Sequence, residues 1–169
     1  MTSGTFLYFA YGSNLLRERL LIHNPSAVFE CVARLDDYCF GFCGESRLWH
    51  GGVATIFKRP GRHVWGVVWR LNMADRDILD WQESTYNPKE VGVVAIGDRV
   101  LRCRTYVRRG HSSKPSPQYK NVVVTGAEQN RLPEEYIQSL RSFTDNGFQG
   151  DIPVYSQIMK EVRQQNVCV

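Results

Sequence analysis

The chain has 169 residues, with 21 Lys and Arg against 17 Asp and Glu and a formal net charge of +4. That length suits one domain and buries enough surface to hold a core without disulfides or metal. With 43% hydrophobic and 22% charged residues, the composition excludes a disordered chain or a fibrous repeat, and no apolar run approaches the ~18 residues of a membrane span.

The run Phe6-Leu-Tyr-Phe-Ala-Tyr11 is continuously apolar and predicts a buried central strand that ends in the tight turn Gly12-Ser13-Asn14. It carries neither a basic leader nor a small-residue cleavage site, so it is not read as a signal peptide. Leucines on one face predict a short helix over Leu15 to Ile22, with Ser13 or Asn14 as its cap. Phe29 to Leu35 and Tyr38 to Phe42 have strand composition. Val53 to Phe57 and Val64 to Trp69 flank Arg59-Pro-Gly-Arg62, which predicts a hairpin. A helix is expected from about Met73 to Gln82 behind an Asn72 cap. Beyond Pro88, Val91 to Ile96 and Val100 to Val107 predict a second hairpin around Gly97-Asp98. Gly110 to Pro117 reads as a surface loop, and helices are expected after Ser116, from Pro133 and over Pro153 to Gln164, with the last few residues fraying. The whole chain, 1–169, is therefore expected to form a single α+β domain with a mixed or antiparallel sheet, open to curling into a barrel. The apolar positions Ile152, Val154, Ile158 and Val162 suit either a dimer seam or the protein's own core.

Five cysteines without an export signal predict reduced thiols. Cys31, Cys39, Cys43 and His50 lie near one another in sequence but lack paired metal-ligand spacing, so no metal is expected. Phosphate-binding glycine loops and a Gly-x-Ser-x-Gly nucleophile motif are absent. Arg102, Arg104 and Arg108 fall at even spacing and predict a solvated basic stripe on one strand face. The modest net charge makes a nucleic-acid surface the weaker reading of those arginines, and no nucleic acid or membrane partner is expected.

Three segments carry residue types suited to chemistry. A buried strand opening through Tyr11-Gly12-Ser13-Asn14 into a helix directs backbone N–H groups outward, where they can hold a carboxylate or a developing oxyanion; the alternative is a capped turn without a ligand. Glu83 falls at the end of the predicted helix. The negative end of the helix dipole and partial burial would raise its pKa there, which suits a group that takes a proton and returns it. A solvated helix-end acid is the plainer alternative, and Asp80, three residues earlier, is the competing acid. Tyr119 can offer a hydroxyl to a pocket or simply pack.

Taken together these segments resemble the γ-glutamylcyclotransferase family. The likeness runs through Phe6-Leu-Tyr-Phe-Ala-Tyr-Gly-Ser-Asn-Leu-Leu16, Asn24-Pro-Ser-Ala27, Cys31-Val-Ala-Arg-Leu35, Trp49-His-Gly-Gly52, Ala54-Thr-Ile-Phe57 and Val64-Trp-Gly-Val-Val-Trp69. It continues through Leu79-Asp80, Gln82-Glu83 and Pro115-Ser-Pro-Gln-Tyr-Lys120, and is nearer to the vertebrate-type branch than to the glutathione-specific or γ-glutamylamine branches. The resemblance implies a barrel-like mixed sheet with flanking helices, and conversion of γ-glutamyl dipeptides to 5-oxoproline with release of the amino acid. It assigns the acid/base role to Glu83 and substrate contacts to Tyr11, Gly12, Ser13, Asn14, Tyr86 and Tyr119. It further implies no cofactor, no metal, a cytoplasmic location and a homodimer. Two features depart from the family's pattern: Ser84 stands where the family has Gly, and the segment from Glu83 to Tyr86 is shortened. They leave open an alternative, a catalytically inert relative that binds γ-glutamyl ligands.

Overall fold

A computed structural model of the protein describes residues 4–167. Five strands close into a barrel in the order β1-β3-β2-β4-β5, where β1 is Thr5–Ala10, β2 Val28–Ser46, β3 Gly51–Asn72, β4 Asn87–Ala95 and β5 Arg99–Val107. Neighbouring strands are antiparallel except β1 and β5, which meet in parallel at Tyr8 and Arg104. The helices are α1 (Arg17–Leu21), α2 (Arg76–Gln82), α3 (Pro117–Gln129), α4 (Glu134–Arg141) and α5 (Pro153–Asn166). The expected α+β domain with a mixed, curled sheet is the fold observed. The expected fraying concerns a tail whose last two residues, Cys168 and Val169, lie outside the described residues.

β1 lies between β3 and β5 in the barrel, and its second half, Tyr8 to Ala10, is buried on both faces. Phe9, Leu15, Leu16, Leu20, Trp69 and Leu71 are among the fully buried side chains around it. Each contributes roughly 1.5–3 kcal/mol by leaving water.

Arg59-Pro-Gly-Arg62 is not a hairpin turn. Both flanking segments belong to the single strand β3 and pair with β2, Lys58 opposite Tyr38 and His63 opposite Asp36. Residues 59–62 loop out opposite Asp37, which takes a positive φ of 63° and accepts a 3.0 Å hydrogen bond from the Gly61 N–H. Proline and glycine here bend a strand pair instead of reversing it. The second hairpin, β4 to β5 through Gly97-Asp98, forms as expected.

The predicted caps are also replaced. Ser13–Leu15 form a 3-10 turn, α1 begins only at Arg17 behind Leu16, and neither Ser13 nor Asn14 caps it. Asn72 makes no cap bond either; a 3-10 turn over Met73–Asp75 leads into α2. Ser116 does cap α3, accepting from the Tyr119 N–H at 3.2 Å. Ile152 and Ile158 are fully buried, and Val154 and Val162 pack beside them, so this face of α5 serves the protein's own core. The basic stripe on β5 is broken. Arg102 is solvated, but the Arg104 side chain is 12% exposed and bound to Asp80, because β5 packs against α2 at that point.

Candidate active site

The turn that follows β1 is held from three directions. The Asn14 carbonyl accepts from Trp69 Nε1 at 3.1 Å, and the Leu15 carbonyl accepts from Asn130 Nδ2 at 2.7 Å. On α3, Gly126 lies so close that a Cβ there would sit 2.5 Å from the Leu16 nitrogen. Among the described residues the N–H groups of Gly12, Ser13 and Asn14 donate to no protein acceptor. Three neighbouring donors on a clamped turn are a ready anion site.

With its main chain fixed, Asn14 turns its amide inward. Asn14 Nδ2 is 3.1 Å from both Tyr8 Oη and Glu83 Oε1, and Asn14 Oδ1 is buried without a partner. Glu83 arrives from the opposite side as the C-cap of α2, its N–H bonded to the Leu79 carbonyl at 2.9 Å. The residue keeps some exposed surface, but its carboxyl group is enclosed. That burial raises the Glu83 pKa from 4.5 to about 7, against the opposing pull of Arg19 and the Asn14 hydrogen bond. Asp80, the competing acid, faces elsewhere. It takes two hydrogen bonds from Arg104 and one from Tyr106 Oη.

The short segment after Glu83 is a tight turn, with the Tyr86 N–H bonded to the Glu83 carbonyl at 2.8 Å. It keeps both side chains on the pocket. Tyr86 Oη donates to the Ala54 carbonyl at 2.8 Å, and Tyr119 Oη accepts from the Ala54 N–H at 3.0 Å. Tyr11 Oη donates to the Tyr106 carbonyl at 2.5 Å. Burial pushes the phenols of Tyr8, Tyr11 and Tyr86 well above their usual range and that of Tyr119 to about 12, so all four are neutral hydroxyls near neutral pH.

One pocket is lined by Tyr8, Tyr11, Gly12, Ser13, Asn14, Ala54, Glu83, Tyr86, Tyr106 and Tyr119. All seven residues singled out from the sequence are brought together there. Tyr8, Ala54 and Tyr106 were not singled out. Tyr8 sits in an apolar run where an aromatic reads as core, and Ala54 contributes only backbone groups and a methyl. For Tyr106 the available signal was the alternation Arg104-x-Tyr106 on β5. Among the described residues no three His, Cys, Asp or Glu side chains converge to hold a metal ion, and Cys31, Cys39, Cys43 and Cys103 are free thiols.

The AIG2-like family model matches residues 63–140. A protein called γ-glutamylcyclotransferase in Mus musculus is 50% identical over 157 residues, covering 88% of this chain and 84% of that one. The protein of the same name in Homo sapiens is 45% identical over the same shares. A solved structure described as γ-glutamyl cyclotransferase superposes with a TM-score of 0.89 at 43% identity, covering 93% of this chain and 99% of that chain.

Proposed function

The chain belongs to the γ-glutamylcyclotransferase family, and on that premise we propose that it cyclises γ-glutamyl amino acids to 5-oxoproline, with Glu83 as base and then acid. The observation that carries this reading is the Glu83 carboxyl, enclosed in the pocket with a pKa of about 7 and facing a turn with three unused N–H groups.

The chemistry follows from what a γ-glutamyl substrate brings. Its α-amine is an ammonium ion near neutral pH and cannot attack. A carboxyl with a pKa near 7 is partly ionised there, and as carboxylate it takes that proton while remaining acidic enough to return it. Asn14 Oδ1, the buried acceptor without a partner, offers the ammonium a second hydrogen bond. The freed amine attacks its own γ-carbonyl, a new C–N bond closes the five-membered ring, and negative charge moves to the carbonyl oxygen. The N–H groups of Gly12 to Asn14 stabilise that oxygen. A donor of this kind is typically worth about 10²–10³ in kcat. Glu83 returns the first proton to the leaving nitrogen as the amide C–N bond breaks. It then takes the second proton from the ring nitrogen and passes it to the released amine, so the lactam nitrogen ends neutral and the amino acid leaves as an ammonium ion. Folding the substrate so that its ends meet supplies much of the acceleration, because the attack is intramolecular.

The same reading extends to the rest of the site and to the setting. Tyr11, Tyr86 and Tyr119 shape the pocket, and neutral hydroxyls suit hydrogen bonds to a polar substrate. The four free thiols suit a reducing compartment, in keeping with a cytoplasmic enzyme of glutathione metabolism. A homodimer remains the family-based expectation, to be read by sedimentation.

The test is 5-oxoproline release from γ-glutamyl-alanine, glutathione and γ-glutamyl-ε-lysine by the wild type and Glu83→Gln. Release from the dipeptide that vanishes in a folded variant supports the reading. A folded wild type inactive on all three would instead make the chain a binding relative.

A further inference from the structure

We infer that Arg19 is the buried positive charge against which the α-carboxylate of the γ-glutamyl group is held, an inference that rests on the γ-glutamyl reading of the pocket. None of the ten residues lining the pocket is a cation. A γ-glutamyl substrate nevertheless brings both an ammonium and a carboxylate. Glu83 and Asn14 suit the ammonium, while the hydroxyls of Tyr8 and Tyr119, which accept from Asn14 and Ala54 and keep their own protons to donate, offer the carboxylate hydrogen bonds but no charge. An anion entering an enclosed site needs an opposite charge nearby.

Arg19 is placed to supply it from one layer behind the wall. On α1, in the first turn after the Gly12–Asn14 segment, it is 8% exposed, and its guanidinium lies over the Trp49 ring at 5.7 Å. Trp49 packs edge-on against Tyr119 with ring centroids 5.0 Å apart, and Tyr119 lines the pocket. Arg19 Nε is buried without an acceptor, and among the described residues Arg19 enters no ion pair. Its sequence neighbour Glu18 is no partner, since both Glu18 oxygens accept from Gln129 Nε2 at 3.2 and 2.9 Å.

A buried guanidinium left without a carboxylate costs several kcal/mol, and a neutral side chain of the same size would remove that cost. The fold keeps it beside a pocket that lacks a cation. Glu83 lines the pocket, its charge bears on Arg19, and the positive charge approaches through Trp49 behind the Tyr119 wall. A zwitterionic glutamyl end aligns in that field with its ammonium toward Glu83 and its carboxylate toward α1. Low polarity in between keeps the attraction strong. Arg19 is thus a positioning residue, acting through Trp49 and Tyr119 rather than by touching the reacting atoms.

Two rings separate the charge from the rest of the ligand: 5-oxoproline, and 2-pyrrolidinone, which lacks only the carboxylate. Calorimetric titration of the wild type should show a preference for 5-oxoproline of about tenfold or more, as for one charge contact in a partly enclosed site. Arg19→Met should lose most of that preference while its affinity for 2-pyrrolidinone stays unchanged, and Arg19→Lys should restore it. In turnover, Arg19→Met should raise KM for γ-glutamyl-alanine and leave that for 4-aminobutanoyl-alanine, its analogue without the α-carboxylate, unaltered. Equal binding of the two rings by the wild type overturns the inference without any variant having to fold. So does full preference retained in folded Arg19→Met. If the cyclotransferase reading itself fails, the wild type releases no 5-oxoproline; if only this inference fails, release persists and the preference for the carboxylate is either absent or unaffected by Arg19→Met.

Discussion

Asp80 and Arg104 face each other through two parallel hydrogen bonds, Nε to Oδ1 at 3.0 Å and Nη2 to Oδ2 at 2.8 Å, joining the last turn of α2 to β5. Tyr106 Oη adds a third bond to Asp80 at 2.5 Å, and Tyr106 also lines the pocket. Glu83 is three residues beyond Asp80, so this clamp fixes the helix end that presents it. Asp80→Ala should free that end and lower kcat/KM for γ-glutamyl-alanine by about ten- to a hundredfold, the usual effect of a small misplacement. Arg104→Lys should recover little, because an ammonium cannot reproduce the two-point contact. Unchanged turnover in Asp80→Ala would show that the clamp does not position Glu83.

Glu83 carries an opposing demand on stability. Its folded pKa, about 7 against 4.5 unperturbed, is raised, so the folded state holds the proton more tightly than the unfolded chain. Stability therefore falls as pH rises from 4.5 to 7, and the full cost, about 3 kcal/mol from a shift of this size, stands above pH 7. Glu83→Gln should be more stable than the wild type at pH 8, with the gap closing below pH 5, as read from thermal melts across that range. The wild type's kcat/KM should rise with pH through about 7 as the base ionises. A Glu83→Gln melt no higher than wild type at pH 8 would show that the carboxyl is not held in an unfavourable site.

The parts of the molecule legible in the sequence are those where local pattern and long-range packing agree. β1 reads as a buried strand and forms one; the β4–β5 hairpin has its Gly97-Asp98 turn, with both residues at positive φ. Arg59-Pro-Gly-Arg62 misleads because a turn motif states that the chain bends, not which strand it pairs with afterwards. That choice is made by β2, which covers both halves of β3 at once. Asn14 misleads in the same way. Its side chain suits a cap, but Tyr8 and Glu83, 6 and 69 residues away, claim the amide. Arg19 shows no periodic or motif signal, since what distinguishes it is the absence of a partner in three dimensions.

Gly12 is a test of how closely the pocket wall is packed. Its φ of −110° lies outside the left-handed region that favours glycine. A Cβ would instead meet the Ala54 Cβ at 2.9 Å and lie 3.5 Å from Tyr119 Oη. Gly12→Ala should destabilise the fold by about 1–3 kcal/mol through overpacking and depress turnover by displacing the N–H donors. Adding Ala54→Gly should return part of the lost activity, although the glycine itself weakens β3. No recovery in the double variant, measured as kcat/KM, would place the fault elsewhere than in this contact.

Tyr119 and Tyr86 bind the two backbone groups of one residue, and the consequences of losing each hydroxyl differ. Tyr119 is 3% exposed, and Tyr119→Phe would leave the buried Ala54 N–H without an acceptor. An orphaned donor of this kind costs about 1–3 kcal/mol. Tyr86 is less buried, and Tyr86→Phe removes a donor from the Ala54 carbonyl, an acceptor with two lone pairs that tolerates a missing partner better than an N–H does. Denaturant titration should therefore rank Tyr119→Phe as the more damaging change by at least about 1 kcal/mol. Equal losses would mean that the Ala54 N–H finds another partner, and that α3 does not depend on Tyr119 for its anchorage to β3.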